Sequence, residues 1–426
     1  MSTFPYAKQS ITAQDIQSVV DALHDQHITR GPKVAAFEAA IAAYCGAQYA
    51  VAFNSGTTAL QAACYAANVR SSDRVITTPN SFVATLLAGT QRGAPARFVD
   101  IDRSTGNLDI HQVEAILREE KLTRGRHIIL PVHFSGIPVD MELLDRLICT
   151  PDVVVIEDAA HALGSTYRSG ERVGSCAWSQ MTMFSFHPAK IITTGEGGMI
   201  LTNDPELYHR LTLFRNNGIS KNEKEWSANR ATCYPGYYEV QETTGNYNFT
   251  DFQAALGLSQ LERIDSLILK RRALVATYRK LLADLPHTRL FTSEEDSRTA
   301  FHLFVIQIDY TAYRTTRAHV IQALSEKGIG SQVHYIPLYR HPFYAKKYPD
   351  LELSFPEMEK YYESTLSLPL YSDLTQENVT YVVSTLKEIL VSARVEASHH
   401  VFKGKRGKSR SVQIKNFSRT TTMPQK

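Results

Sequence analysis

The stretch from Met181 to Thr202 reads MTMFSFHPAKIITTGEGGMILT, and the predicted architecture of the chain is centred on it. An apolar run ends at Phe186, a turn follows that contains Lys190, and a glycine-rich segment leads into a second apolar run. This pattern predicts two β-strands with a lysine presented between them. Desolvation disfavours the ammonium form of a lysine, which makes the amine available for a Schiff base. A solvated turn lysine beside flexible glycines is the alternative that this segment alone leaves open.

Strands and helices alternate on the N-terminal side of this stretch. Apolar runs typical of buried strands occur at residues 50–53, 74–78, 96–100, 127–133, 153–158, 181–186 and 198–202, and most of them are separated by segments with helical periodicity. This alternation predicts an α/β fold with a mostly parallel, seven-stranded sheet covered by helices. In such sheets ligands bind at the carboxyl ends of the strands.

The pattern divides the chain into three predicted parts. Residues 1–250 form an N-terminal segment and a large α/β domain, from which the tyrosine-rich segment 219–245 departs as an excursion. Residues 251–395 begin with one long helix over 251–285, continue with strands at 301–309 and 331–335, and end with a helix over 378–393, which predicts a smaller α+β domain. The remaining residues, 396–426, form a basic tail whose composition is typical of disorder.

Composition narrows the class of protein. The chain has 426 residues, of which 43% are hydrophobic and 21% are charged, and no apolar run approaches the length of a membrane span. No secretory signal is recognisable at the N-terminus, and the five scattered cysteines form no CxxC pair. These features predict a cytoplasmic protein without a disulfide framework or a zinc site.

The net charge of +3 hides an uneven distribution. Eight of the 46 basic residues lie beyond Glu396 and no acidic residue does, so residues 1–396 hold 38 basic against 43 acidic residues. A mildly acidic body predicts no nucleic-acid partner, while an electrostatic role of the tail on nucleic acid or membrane is the alternative left open.

Two motifs lie at predicted strand ends. The stretch Ser55-Gly56-Thr57-Thr58 follows the first strand and opens a helix, where free backbone N–H groups and hydroxyls favour a phosphate cradle. The same residues are also typical of a simple helix cap.

The second motif offers two carboxylates and a histidine. The strand VVVIED ends at Glu157 and Asp158, and His161 follows. A carboxylate in this position can keep a heteroaromatic ring nitrogen protonated, although a strand-end cap or an ion pair would use the same residues. Phe82 could cover one face of a flat cofactor, or it could be an ordinary core residue.

Together these motifs resemble the DegT/DnrJ/EryC1/StrS family of pyridoxal-phosphate-dependent sugar aminotransferases. The resemblance runs from residue 5 to about residue 393 and rests on the segments SGT (55–57), EDAAH (157–161), SFHPAK (185–190) and TTGEGG (193–198). It also includes TRGP (29–32), FE (37–38), TDFQAALG (250–257), VHYIP (333–337) and SLP (367–369).

The resemblance implies a fold, a cofactor and a set of site residues. The fold would be that of the fold type I transferases, which is the aspartate aminotransferase fold, and the cofactor would be pyridoxal 5′-phosphate (PLP). Lys190 would be the Schiff-base lysine, Asp158 the partner of the pyridinium nitrogen, and His161 a neighbour of the ring hydroxyl. The remaining implied contacts are Phe82 against the ring, Gly56, Thr57 and Ser185 on the phosphate, and Tyr6, His187 and His334 on the substrate. The protein would be a homodimer with shared active sites, to which Asn246 contributes across the interface.

A closer likeness within the family concerns the substrate. The segments YAKQSI (6–11), HALG (161–164), 184–198 and YYEVQE (237–242) are similar to members of the pseudaminic acid route. Those members aminate carbon 4 of a UDP-linked 4-keto-6-deoxy-L-sugar, with L-glutamate as the expected amino donor. Two residues depart from the family pattern, since Asn248 replaces the usual arginine and Asn217 the usual histidine.

Three alternatives stay open at this point. One is an aminotransferase that acts on carbon 3 or 4 of another nucleotide-linked sugar, and another is a non-catalytic regulatory or binding protein that has kept the fold. Some relatives are dehydratases with a histidine in place of the lysine, and the presence of Lys190 argues against that class.

Overall fold

The computed structural model describes residues 3–120, 122, 124–148, 150–227 and 234–405, and for residues 394–405 it describes the backbone alone. The helices are α1 (Ala13–His24), α2 (Pro32–Cys45), α3 (Gly56–Ala66), α4 (Val83–Thr90), α5 (Ile110–Glu119), α6 (Met141–Leu147), α7 (Pro205–Arg215), α8 (Asp251–Leu261), α9 (Ile264–Leu282), α10 (Arg317–Glu326), α11 (Pro342–Lys347), α12 (Pro356–Ser364) and α13 (Gln376–Lys405). The strands are β1 (Tyr49–Phe53), β2 (Arg74–Thr77), β3 (Ala96–Phe98), β4 (His127–Leu130), β5 (Val153–Asp158), β6 (Met181–Ser185), β7 (Gly198–Thr202), β8 (Ile219–Ser220), β9 (Glu239–Val240), β10 (Thr288–Leu290), β11 (Phe304–Ile308) and β12 (Thr365–Leu368).

The large domain is built on a seven-stranded sheet with the order β1-β7-β6-β5-β4-β2-β3. Strands β3, β2, β4, β5 and β6 run parallel, and β7 is antiparallel to both of its neighbours. The predicted α/β fold with a mostly parallel sheet is therefore confirmed. All residues of β4 and β7 are buried, which explains why these strands read as continuous apolar runs rather than as alternating ones.

Helices cover both faces of this sheet. One core cluster joins the sheet to α2, α5, α6, α8 and the start of α9, and a second cluster joins the other face to α3, α4 and α7. Because helices occupy the two faces, the loops at the carboxyl ends of the parallel strands are left to form a site.

The long helix predicted over 251–285 is wrong, because the chain forms two helices, α8 and α9, with a break between them. Arg263 lies at the break with φ of −115° and ψ of 10°. Its guanidinium donates to the Asp15 carboxylate at 2.6 Å and to the Ser10 carbonyl at 2.6 Å. The break therefore ties the N-terminal segment to the two helices that follow the large domain.

The small domain contains the antiparallel sheet β10-β11-β12. Its core cluster joins α9, α10 and α13 to this sheet. The strand predicted at 331–335 is wrong, since this segment is irregular and pairs with β12 only through a single bridge from Gln332 to Ser367. The irregular segment reaches back towards the large domain.

The last helix is longer than predicted. The sequence pattern ended it at residue 393, whereas α13 continues to Lys405, into the first part of the predicted tail. No proline interrupts this stretch, and its alanine, glutamate and arginine residues favour helix. The rest of the predicted tail, 406–426, lies outside the described residues. Within the described part of the chain, no helix combines the length and the apolar character that crossing a membrane requires.

Candidate active site

A cavity of about 760 Å³ lies at the carboxyl ends of the strands, where the large domain faces the small one. The large domain contributes the segments that follow β1, β2, β5 and β6, and the small domain contributes His302 and the irregular segment that contains His334. Of the site residues predicted from the sequence, all but Asn246 line this cavity, namely Tyr6, Gly56, Thr57, Phe82, Asp158, His161, Ser185, His187, Lys190 and His334. The cavity is called the cleft below.

Lys190 lies in the turn that follows β6, as the sequence predicted. The turn is closed by a hydrogen bond from the Lys190 backbone N–H to the His187 carbonyl at 2.9 Å. Burial lowers the pKa of the Lys190 side chain from 10.5 to about 8, and the Asp158 carboxylate opposes this shift. A neutral amine is therefore accessible near physiological pH, which is what a nucleophilic lysine requires.

Asp158 ends β5 with its carboxylate buried in the cleft wall. One oxygen accepts a hydrogen bond from Thr85 Oγ1 at 2.5 Å, and the other accepts one from the Ala160 backbone N–H at 3.1 Å. Burial raises the pKa of Asp158, while these two donors and the Lys190 ammonium act against that rise. Thr85 itself lies 2.6 Å from Ser81 Oγ, and because its proton goes to Asp158, the Ser81 hydroxyl must be the donor in that pair.

The neighbouring carboxylate has a different environment. Glu157 is fully buried and does not line the cleft. It interacts with His133 Nε2 at 2.7 Å and accepts hydrogen bonds from the hydroxyls of Tyr167, Thr182 and Ser179. The sequence left the choice between two carboxylates open from the residues alone, and the geometry leaves Asp158 as the one that faces the cleft.

The N-terminus of α3 lies beside the end of β6. Ser55 and Thr58 make a reciprocal capping box, so the helix-cap interpretation holds for these two residues. Gly56 and Thr57 occupy the first two helical positions, whose N–H groups have no intrahelical acceptor. A Cβ atom at Gly56 would lie 3.0 Å from Ser185 Cβ and 3.1 Å from Ser185 Oγ, so the glycine lets the serine approach the helix end. Free N–H groups, a hydroxyl and the positive helix end suit a phosphate group.

His161 is held in one orientation by contacts on several sides. Its Nδ1 accepts a hydrogen bond from the Ser135 backbone N–H at 3.2 Å, and its Nε2 lies 3.2 Å from the Tyr335 hydroxyl. The His302 ring packs against it with a centroid distance of 4.2 Å. Burial, with the nearby Lys190 and His334, keeps the pKa of His161 well below 6.5.

The predicted substrate residues Tyr6, His187 and His334 line the same cleft. The ring of Tyr6 is 5.5 Å from that of His334, whose Nδ1 lies 2.8 Å from Ser367 Oγ. Burial, with Lys190 nearby, lowers the pKa of His334 to about 3, which leaves it a neutral group. His187 accepts the Ala189 backbone N–H at 3.2 Å, and Phe82, which is 58% exposed, presents its ring to the cleft.

Asn246 is the one predicted site residue that does not line the cleft of its own chain. It is exposed on the segment before α8, where its side-chain oxygen accepts from Asn248 Nδ2 at 2.7 Å. Asn248 also donates to Asn216 Oδ1 at 3.1 Å, a group that lies 3.5 Å from Arg30 Nη1. The other departure from the family pattern, Asn217, has φ of 57°, a conformation that asparagine adopts more readily than most residues.

Three residues of the site were missed in the sequence. His302 and Tyr335 line the cleft and come from segments far apart in the chain, whereas Thr85, on α4, contacts Asp158 but does not itself line the cleft. In the sequence, Tyr335 stands out only as part of the VHYIP motif. The helical spacing of Ser81 and Thr85 was a usable signal, whereas nothing local marks His302 as a partner of His161.

The fold and the cleft define a class of protein, the fold type I PLP-dependent transferases, because a lysine, an aspartate and a helix N-terminus meet at one sheet edge. The chain belongs to the DegT/DnrJ/EryC1/StrS aminotransferase family, whose model matches residues 9–387. It is 36% identical over 391 residues to the spore coat polysaccharide biosynthesis protein SpsC of Bacillus subtilis, covering 91% of this chain and 97% of SpsC.

Two solved structures have the same fold. PseC of Helicobacter pylori, an aminotransferase involved in the biosynthesis of pseudoaminic acid, has a TM-score of 0.82 at 28% identity and covers 92% of this chain and 100% of PseC. Spr1654 of Streptococcus pneumoniae, solved in its PLP form, has a TM-score of 0.81 at 26% identity and covers 92% of this chain and 99% of Spr1654. The predicted fold type and the PLP cofactor are confirmed, and the chain is a PLP-dependent sugar aminotransferase.

Proposed function

We propose that this protein transfers an amino group from L-glutamate to carbon 4 of a UDP-linked 4-keto-6-deoxy-N-acetyl-L-hexosamine. The product would be UDP-4-amino-4,6-dideoxy-N-acetyl-β-L-altrosamine, an intermediate on the route to pseudaminic acid. The observation that carries the transamination is the placement of Lys190, Asp158 and the α3 N-terminus in one cleft. The choice of sugar rests on the closer sequence likeness of segments 6–11 and 237–242 and on the structural similarity to PseC.

Lys190 moves the proton in this proposal. Bound PLP supplies a conjugated ring that delocalises the electron pair left when a C–H bond of the substrate breaks. The Lys190 amine, with its pKa lowered to about 8, is the base that accepts this proton and later returns it to another carbon. The turn between β6 and β7 fixes the position of the amine, and burial keeps bulk water from competing for the proton.

Asp158 would hold the ring nitrogen of the cofactor in its protonated form. Each of its two oxygens accepts one hydrogen bond from the protein, which leaves lone pairs for an N–H donor. A carboxylate in a buried site stabilises a cation strongly, because the local dielectric constant is low.

In this proposal, the other cleft residues bind and orient the cofactor and the sugar substrate. Gly56, Thr57 and Ser185 would hold the phosphate of PLP, and Phe82 would cover its ring. Tyr6, His187 and His334 bind the sugar substrate, and His161 lies near the ring hydroxyl. Because His161 and His334 are neutral, they bind through hydrogen bonds and ring contacts rather than through charge.

We also infer that the active protein is a homodimer whose sites are shared. Asn246 is exposed on the surface of its own chain and does not line its own cleft, as expected of a residue that serves the cleft of a partner. Helix α1 exposes Ile16, Val20 and Leu23, which are 58%, 38% and 54% exposed and share one face of the helix. An apolar face of this kind on a surface helix is typical of a protein contact.

A second candidate is amination of another nucleotide-linked 3-keto or 4-keto sugar. The observation in its favour is the 36% identity to SpsC, a spore coat polysaccharide protein, against 28% identity to PseC. The third alternative, a non-catalytic binding protein, fits less well because Lys190 and Asp158 are both present and both face the cleft.

The test is a product assay with a panel of UDP-linked 4-keto and 3-keto sugars and L-glutamate, read by mass spectrometry. The proposal expects rapid gain of an amino group with the 4-keto-6-deoxy-L-sugar, and no product with Lys190→Ala. Rapid amination of another sugar would support the second candidate function. If the PLP-loaded protein aminated none of the sugars, the third alternative, a non-catalytic binding protein, would be favoured.

Borohydride reduction followed by peptide mapping tests the lysine itself. The pyridoxyl group should be found on Lys190, and its presence on another lysine would overturn the assignment.

A further inference from the structure

The proton of the Tyr335 hydroxyl can be located from the hydrogen bonds around His161. The backbone N–H of Ser135 points at His161 Nδ1 over a distance of 3.2 Å. A backbone N–H can only donate, so Nδ1 carries no proton and acts as the acceptor. Because the pKa of His161 lies well below 6.5, the ring is neutral and its one proton is on Nε2.

This assignment decides the direction of the second hydrogen bond. Tyr335 Oη lies 3.2 Å from His161 Nε2. If Tyr335 were the donor, both ring nitrogens would be acceptors and the imidazole would have to be an anion, which does not form at physiological pH. Therefore His161 Nε2–H donates and the Tyr335 oxygen accepts.

The Tyr335 proton is then available to a different acceptor. Tyr335 is partly exposed and lines the cleft, where the rings of Phe82 and His334 lie 6.5 Å and 4.9 Å from its own ring. Its backbone N–H donates to Asn80 Oδ1 at 3.2 Å, which anchors the residue to the large domain. Burial raises the pKa of Tyr335 well above 10, so the phenol keeps its proton at physiological pH.

We propose that Tyr335 donates a hydrogen bond to an oxygen atom of a molecule bound in the cleft. Two sources carry such an oxygen, the ring hydroxyl of the cofactor and the keto group of the sugar. His161 supports this role from behind, because its Nε2–H occupies one lone pair of the Tyr335 oxygen and directs the phenol proton away from the imidazole. The inference rests on the proposed function, since it takes the bound molecules to be PLP and a keto-sugar.

The test compares wild-type protein with Tyr335→Phe, which keeps the ring and removes only the hydroxyl. The sugar arm measures the dissociation constant of the UDP-keto-sugar that the wild type aminates. The cofactor arm measures the midpoint pH of the absorption change of bound PLP and needs no sugar. A lost hydrogen bond should weaken sugar binding about threefold to tenfold, or shift the midpoint pH by about 0.5 to 1 unit.

The two arms identify the acceptor. Weaker sugar binding with an unchanged PLP midpoint assigns the keto oxygen, and a shifted midpoint with unchanged sugar binding assigns the cofactor hydroxyl. A change in both arms also supports the donor role, with contacts to both molecules. No change in either arm, in a variant that melts like the wild type, would overturn the inference.

A double-mutant cycle excludes an indirect effect through His161. If Tyr335 only orients that histidine, Tyr335→Phe will have no further effect in a His161→Gln background, and the inference is then wrong. An effect of similar size in both backgrounds supports direct contact with the bound molecule. Failure of the proposed function gives a different result, because the wild-type protein would then aminate another sugar or none, while the PLP arm would still report on Tyr335.

Discussion

At the residue scale, the proposed chemistry depends on keeping the buried carboxylate of Asp158 ionised. Burial raises the pKa of Asp158, and the strongest opposing contact is the hydrogen bond from Thr85 at 2.5 Å. Lys190 and His133 also favour the ionised form of Asp158 through their charges. The charge of Asp158 in turn helps to raise the pKa of Tyr335. Thr85 is therefore a positioning residue that acts through Asp158.

Replacing Thr85 by valine keeps the shape and removes the donor. A hydrogen bond to a charged group contributes about 1.5 to 3 kcal/mol, so its loss should raise the pKa of Asp158 further. The carboxylate is required, so activity is lost as pH falls through this pKa, and the acid limb of kcat/KM should move to higher pH. Thr85→Ser retains the hydroxyl and should keep the wild-type limb. If the acid limb of the kcat/KM profile were unchanged in Thr85→Val, the contact between Thr85 and Asp158 would be only structural.

Lys190 gives a second pH dependence. Only the neutral amine can attach PLP, and its pKa in the free protein is about 8. The rate of PLP attachment to apoprotein should therefore rise about tenfold per pH unit below this value and level off above it. Asp158→Asn removes the charge that stabilises the ammonium and should move the midpoint to lower pH. A midpoint near the ordinary value of 10.5 would contradict the assigned environment.

At the element scale, the start of α3 and the end of β6 together form the proposed phosphate site. Gly56→Ala would place a Cβ 3.0 Å from Ser185 Cβ and should push the hydroxyl away from the helix end. We expect PLP affinity to fall about tenfold, which corresponds to about 1.4 kcal/mol, with little change in apoprotein melting temperature. Gln61→Ala, on the same helix but outside the cleft, serves as the matched control. Equal PLP affinity in the wild type, Gly56→Ala and Gln61→Ala would show that the phosphate does not bind at the start of α3.

The elements also show what the sequence can and cannot predict. The strand ending at Asp158 was predictable because a buried parallel strand reads as a continuous apolar run, and its end falls at the ligand side of the sheet. The break before α9 was not, because it depends on Arg263 reaching Asp15, which lies 248 residues away in the chain. Tyr335 and His302 were missed for the same reason, since their partner His161 belongs to another domain and local patterns carry no distance information.

At the scale of the whole molecule, the location of Asn246 makes the proposed shared site testable. Lys190 lines the cleft of its own chain, and Asn246 lies on the surface outside it. If Asn246 serves the partner's cleft, every site takes Lys190 from one chain and Asn246 from the other. The segment that precedes Asn246 in the chain exposes Tyr234 and Tyr238, which are 68% and 51% exposed, and tyrosine is enriched at protein interfaces.

Mixing two inactive variants separates the shared site from a site built by one chain. A dimer of one Lys190→Ala chain and one Asn246→Asp chain has, if sites are shared, one cleft with both lesions and one with neither. Activity should then return to about one quarter of the wild-type value when random exchange makes half of the dimers mixed, since each mixed dimer has one intact site of two. If Asn246 served its own chain, both clefts of the mixed dimer would stay damaged. Absence of recovery, with subunit exchange confirmed by mass spectrometry of differently tagged chains, would therefore exclude the shared site.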